Sequence, residues 1–287
     1  MKKLSRRDFI GKSAIGLGSA FLVSQLPLKS DAAVISSPAV KMPVGFQIWT
    51  IREDLQKDFP ETLKRMSGLG FETVEMCSPP GYGFEPLMKY SAKEMKKIMQ
   101  DNGLKCLSCH YVMKELRENL GERIAFALEL GQTQMILSSF GLPKNATMDD
   151  WKKAADELNK IGEEAKKGGI QMGFHNHNNE FAKIDDVLIY DVLMNQFHPE
   201  YIKMQFQVAV ISIGYKAADY FRKYPGRFIS VHLADIAEDK KQQVPIGKGI
   251  VDWKELFAAL PAGGAQNIFV EMPETTFKES VDFLKSI

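Results

Sequence analysis

Between residues 44 and 272 the chain alternates short β-rich runs with longer stretches of helical period, and this order constrains its fold more than any single motif. The runs are 44–50, 71–77, 105–111, 134–139, 170–177, 202–210, 228–235 and 267–272. Strict alternation leaves no tight hairpins, so each return is made by a helix and the strands must run parallel. The helices carry their own punctuation: 59–69 stops near Gly70, 92–102 at Gly103 and 116–130 at Gly131. Glycine just past a helix is the usual left-handed stop. The 148–167 stretch is amphipathic, opens behind Thr147 with Asp149 and Asp150 in its first turn, and ends at Gly168 and Gly169. Eight such units in about 250 residues match a closed (β/α)8 TIM barrel. The main competitor, an open doubly wound sheet, lacks a G-x-G-x-x-G after the first strand. A single α/β domain over 44–287 is expected.

Residues 5–12 read S-R-R-D-F-I-G-K and resemble a twin-arginine export signal. The apolar segment 14–23 behind it is too short to span a bilayer. Ser30 and Ala32 form a small-x-small pattern, which predicts a signal peptide over 1–32, a linker over 33–43 and a periplasmic or otherwise exported protein with no stable membrane anchor. Without the leader's six basic and two acidic residues, 31 basic face 34 acidic ones, a net charge of −3. Such a surface lacks the basic field that nucleic-acid binding needs. Cys106 and Cys109 form a C-x-x-C inside a β-rich run; residues three apart on a strand face opposite sides, so both are expected to be buried packing residues.

Several strand ends carry metal-capable side chains. His175 and His177 close the fifth run in F-H-N-H-N-N-E-F, Gln205 and Gln207 lie in the sixth, His232 in the seventh and Glu271 in the eighth. Alternation puts His175 and His177 on one face, with Glu180 just beyond. In a barrel these ends converge on one mouth, where barrel enzymes keep their chemistry. Imidazole, carboxylate and amide together suit Mn, Fe, Co or Zn better than Ca.

The segments F-H-N-H-N-N-E-F at 174–181, Y-P-G-R-F-I-S-V-H-L-A-D at 224–235, G-K-G-I-V-D-W-K at 247–254 and F-V-E-M at 269–272 resemble the xylose-isomerase-like sugar phosphate isomerase/epimerase family. The resemblance runs from Val44 to the C-terminus. It implies one divalent metal held from strands five to eight, by His175, Gln207, His232 and Glu271. His175 stands where many members have glutamate, Gln207 where aspartate is usual, Ala234 where a lysine is common and Val210 where an aromatic is frequent. Two carboxylates become neutral donors, which weakens attraction for a hard dication and favours softer metals.

The resemblance further implies proton transfer next to a carbonyl by two glutamates, of which only Glu271 remains; His177, Glu180 or another rim residue is the expected replacement. Trp49, Glu75, His110 and Lys248 are expected on the substrate side, with Trp49 sharing a face with Gln47 as a platform for a sugar ring; structural hydrogen bonding by Glu75 and His110 and core packing of Trp49 are the open alternatives. Arg227 is expected to fix the turn before the seventh run and His198 to lie on the surface. The leading expectation is a metal-dependent isomerase or epimerase of an unphosphorylated or keto sugar, since export argues against a phosphorylated intracellular intermediate. A keto-glycoside lyase or hydrolase, and a sugar-binding barrel that has lost catalysis, remain open beside it. So do metal identity and whether the chain forms a homo-oligomer.

Overall fold

A computed structural model describes residues 42–287; the signal peptide and most of the linker expected ahead of the barrel lie outside them. Eight strands appear where the sequence places them: β1 (Val44–Gln47), β2 (Thr73–Cys77), β3 (Lys105–Tyr111), β4 (Gln134–Leu137), β5 (Gln171–His175), β6 (Ile202–Gln207), β7 (Phe228–Leu233) and β8 (Asn267–Val270). All neighbours pair in parallel and the sheet closes, β1 pairing with both β2 and β8. Each strand is followed by a helix: α1 (Phe59–Leu69), α2 (Ala92–Asp101), α3 (Met113–Leu130), α4 (Met148–Lys167), α5 (Ile189–Gln196), α6 (Ala217–Lys223), α7 (Trp253–Gly263) and α8 (Phe277–Ser286). The chain is therefore a (β/α)8 barrel.

Local chemistry explains the boundaries. Capping boxes, Ser91 with Glu94 and Thr147 with Asp150, open α2 and α4 and satisfy amide groups that a helix start leaves bare. Gly131 ends α3 at φ 101°, a left-handed conformation that disfavours a side chain. Apolar residues such as Leu63, Met66, Met95, Met99, Leu158 and Leu256 line the inner faces of the helices and are buried. Among the described residues no helix is long and apolar enough to cross a membrane.

The C-x-x-C reading needs one correction. Between Val74 and Glu75 the β2 register jumps from Cys106 to Ser108, so β3 carries an extra residue at a bulge. The bulge breaks the alternation, and Cys106 and Tyr111 both meet Gln132, whose amide donates to the Cys106 sulfur at 3.2 Å and accepts from the Tyr111 hydroxyl at 3.2 Å. Cys109 and Gln132 line one cavity behind the strand. Both cysteines are buried and free, as expected, and burial pushes the Cys106 thiol up to about 12.

The loop after β7 is pinned from inside. Asp235 is fully buried and accepts from the backbone N–H groups of Ile236, Gly247, Gly249 and Val251 and from the Trp253 indole. A Cβ on Gly249 would lie 2.2 Å from Asp235 Oδ1, which accounts for the glycine. The G-K-G-I-V-D-W segment is thus a wrapping for a buried carboxylate, and Lys248 is exposed on its outside.

Candidate active site at the barrel mouth

Three strands end in the same way, by winding into a 3-10 turn. Gln47 closes β1 and its side chain accepts from Trp49 N–H at 2.6 Å. Gln207 closes β6 and accepts from Ala209 N–H at 3.1 Å. After β5, Glu180 reaches back to accept from His177 N–H at 2.6 Å. Trp49 and His177 consequently lie beyond strand geometry, and the period-of-two argument does not govern their direction. They nevertheless border one cavity, because the turns fold over the barrel end.

Beneath that cavity lies a buried polar floor centred on Glu75, which is 0% exposed. Its Oε1 accepts from the Ser108 hydroxyl at 2.6 Å and from the Gln205 amide at 2.7 Å. Its Oε2 accepts from His232 Nε2 and lies 3.2 Å from His110 Nε2. Burial alone would push the Glu75 carboxyl up; His110 and His232 oppose this and hold it well below the usual range. The other His232 nitrogen, Nδ1, is 3.0 Å from Glu271 Oε2. Burial would lower His232, but two flanking carboxylates overcome it and raise the imidazole to about 10.

Above the floor the mouth encloses about 450 Å³, bordered by side chains that include Trp49, Tyr82, His110, His175, His177, Gln207 and Glu271. Glu271 Oε2 also accepts from the Gln207 amide at 2.6 Å. Burial favours the neutral Glu271 acid, yet His232 outweighs it and keeps the carboxyl below its ordinary value. His175 is pushed well below the ordinary imidazole range, first by burial and then by neighbouring His232 and His110. Burial also lowers His177, whose ring centroid is 4.8 Å from that of His175. Trp49, also on the cavity border, is 42% exposed, touches Tyr82 edge to face and carries the Arg52 guanidinium 4.3 Å from its ring centroid.

The residues singled out in the sequence divide by place. His175, His177, Gln207, Glu271, His110 and Trp49 border the cavity, and His232 backs it from the floor. Glu75 lies below the mouth under His232, Glu180 is buried beneath the His177 turn, and Lys248 sits on the outer loop; none of these three lines the cavity. The Arg227 guanidinium does not reach into the turn ahead of β7 but donates to the Met194 and Phe197 carbonyls at the end of α5, and His198 is exposed. Ser108 and Ser230 in the floor, and Tyr82, Ser138, Ser139 and Gln243 around the mouth, escaped sequence reading. Ser108 and Ser230 stand in register with Glu75 and Gln205, a pairing that only the assembled sheet reveals.

A divalent cation fits this donor set. His110, His175 and His232 each offer one ring nitrogen, and the three atoms lie within 4.8 Å of one another. Three imidazoles with an adjacent carboxylate suit borderline metals. Gln207 is oriented otherwise: its oxygen is engaged by Ala209 N–H and its NH2 faces Glu271.

Comparison with known proteins places this geometry among relatives. The chain is 27% identical over 129 residues to an inosose dehydratase of Clostridium perfringens, a match covering 44% of this chain and 43% of that protein, so it spans less than half of that relative's length. An inosose dehydratase of Clostridium beijerinckii is 24% identical over 262 residues, covering 76% of this chain and 83% of that one. In fold it resembles a sugar phosphate isomerase/epimerase from Parabacteroides distasonis, with TM-score 0.73 and 21% identity across 89% of this chain and 97% of that one. The model of the xylose isomerase-like TIM barrel family matches residues 63–287. With the strand order and mouth described above, the chain belongs to the xylose isomerase-like TIM barrel family.

Proposed function

We propose that the protein is an exported, metal-dependent carbohydrate enzyme that transfers a proton at a carbon next to a carbonyl of an unphosphorylated or keto sugar. The observation that carries this is the mouth cavity, which Glu271, His177, His175 and Trp49 all line. Its volume falls in the range of small-molecule sites. Among the described residues that line it none is a lysine or arginine; Arg52 sits on the Trp49 ring at its border. Export is read from the leader alone.

In this reading His175 and Glu271 would hold the cation, joined by His232 once it gives up the proton it carries between Glu75 and Glu271, with Gln207 fixing the Glu271 carboxylate from the side. A bound cation would polarise the substrate carbonyl and acidify the neighbouring C–H. The protein supplies the rest. Glu271, ionised under the influence of His232, takes the proton from carbon, and His177, neutral because it is buried, exchanges a proton with the substrate oxygen. The Trp49 face packs the apolar side of the sugar ring, and Tyr82 braces it.

A second reading is elimination, favoured by the inosose dehydratase relatives. The same C–H proton leaves to Glu271, but the β C–O bond then breaks, and the departing hydroxyl or aglycone collects the proton that Glu271 has taken, which restores the carboxylate. Incubation of candidate keto-sugars and 3-keto-glycosides in D2O tests both. Solvent deuterium in recovered substrate or its epimer supports isomerisation, and a released aglycone or water-loss product supports elimination. Glu271→Gln is expected to slow either by about 10²–10⁴-fold; full exchange in that variant refutes the mechanism.

A further inference from the structure

Gln205 lies in the floor of the mouth and is 0% exposed. All four of its hydrogen-bonding positions are used. The carbonyl Oε1 accepts from His110 Nε2 at 2.7 Å and from His175 Nδ1 at 2.9 Å. The Nε2 group donates to Glu75 Oε1 at 2.7 Å and to Ser230 Oγ at 2.9 Å. An amide's oxygen and nitrogen are distinguished by their partners, and here the partners decide. Turned over, the amide would set its oxygen 2.7 Å from a Glu75 oxygen that already accepts from Ser108, with no hydrogen between them. An unpaired buried acceptor of this kind costs about 1–3 kcal/mol.

The geometry points to Gln205 as a positioning residue: its carbonyl holds His175 as the Nδ1–H tautomer, leaving that ring's lone pair on Nε2, and keeps a hydrogen on His110 Nε2. An imidazole binds a cation or takes up a proton only through its lone pair, and the hydrogen bond on the other nitrogen decides where that pair sits. Gln205 therefore sets which edge of His175 is reactive, although it lies under the cavity and does not line it. Loss of the amide removes the acceptor from both rings and leaves Glu75 and Ser230 short of a donor. The tautomer assignment stands on hydrogen bonds alone; its consequence for chemistry rests on the reading given under Proposed function.

The test is 15N NMR of histidine-labelled full chain, as purified. His175 is expected to show a pyrrole-type Nδ1; a pyridine-type Nδ1 in the wild type overturns the assignment without any variant. In folded Gln205→Leu the pattern is expected to change, and an unchanged tautomer overturns the role of the amide. Zinc titration by calorimetry supplies a second readout, with affinity in Gln205→Leu expected to fall about 10–100-fold. Equal affinity in both proteins overturns the positioning role. A wild type with Nδ1–H on His175 that binds no zinc supports the assignment while refuting the metal-dependent function.

Discussion

Glu180 offers the sharpest test of how burial works in this mouth. Its carboxylate accepts the His177 N–H at 2.6 Å, it is 2% exposed, and burial pushes it up to about 7 from an ordinary 4.5. That rise corresponds to about 3.4 kcal/mol between the two protonation states. The sign follows from proton counting. In the folded protein Glu180 keeps its proton to about pH 7, whereas the unfolded chain releases it near 4.5. The native state therefore binds more protons in that window, and its stability falls as pH rises. The contribution is fully present below the unfolded value and lost above the folded one. Glu180→Gln retains an amide oxygen for His177 N–H but has no proton to lose. Urea denaturation of both proteins, followed by far-UV circular dichroism from about pH 4.5 to 8, should show the variant gaining about 3 kcal/mol on the wild type. A difference constant to within about 0.5 kcal/mol across that range would refute the reasoning, because it would mean that Glu180 is ionised as readily in the fold as in the open chain.

Three further outcomes are expected. Asp235→Ala strips the acceptor from four backbone amides and the Trp253 indole, so it should destabilise the protein by at least about 3 kcal/mol in the same assay, and Gly249→Ala should also lose stability through its clash with Asp235. Trp49→Ala, at a 42% exposed site, should change stability by less than about 1 kcal/mol yet weaken binding of a turned-over sugar by about tenfold, read as KM or by calorimetry. Elemental analysis of protein purified without chelator should find near-stoichiometric metal that is lost in His175→Ala; stoichiometric metal in that variant would remove His175 from the ligand set.

Much of the barrel was legible in advance because its signals are local. All eight strands start within two residues of their expected positions, and 59–69 and 148–167 match α1 and α4 end to end. The misses lie at strand ends. Runs 44–50 and 202–210 are long enough to read as strand throughout, yet Gln47 and Gln207 each fold a side chain onto the N–H two residues on and start a 3-10 turn. Propensity does not register one side chain capping its own backbone. The bulge in β3 escaped for a related reason, since it is defined only by the register of β2 against it.

Parallel strands, their number of eight, and the placing of His175, Gln207, His232 and Glu271 at the ends of neighbouring ones can be read from the residues alone, because alternation and period are properties of short windows. Their partners cannot be read that way. Glu75 of β2 meets His232 of β7, 157 positions away, and Gln205 of β6 meets Glu75, 130 positions away, across the closed interior. Those contacts exist only once the sheet has curled onto itself and brought inward side chains of opposite strands within hydrogen-bond reach. Closure in low dielectric then sets the charges: it makes His232 a cation between two carboxylates, keeps His175 neutral, and leaves Glu180 holding a proton near pH 7.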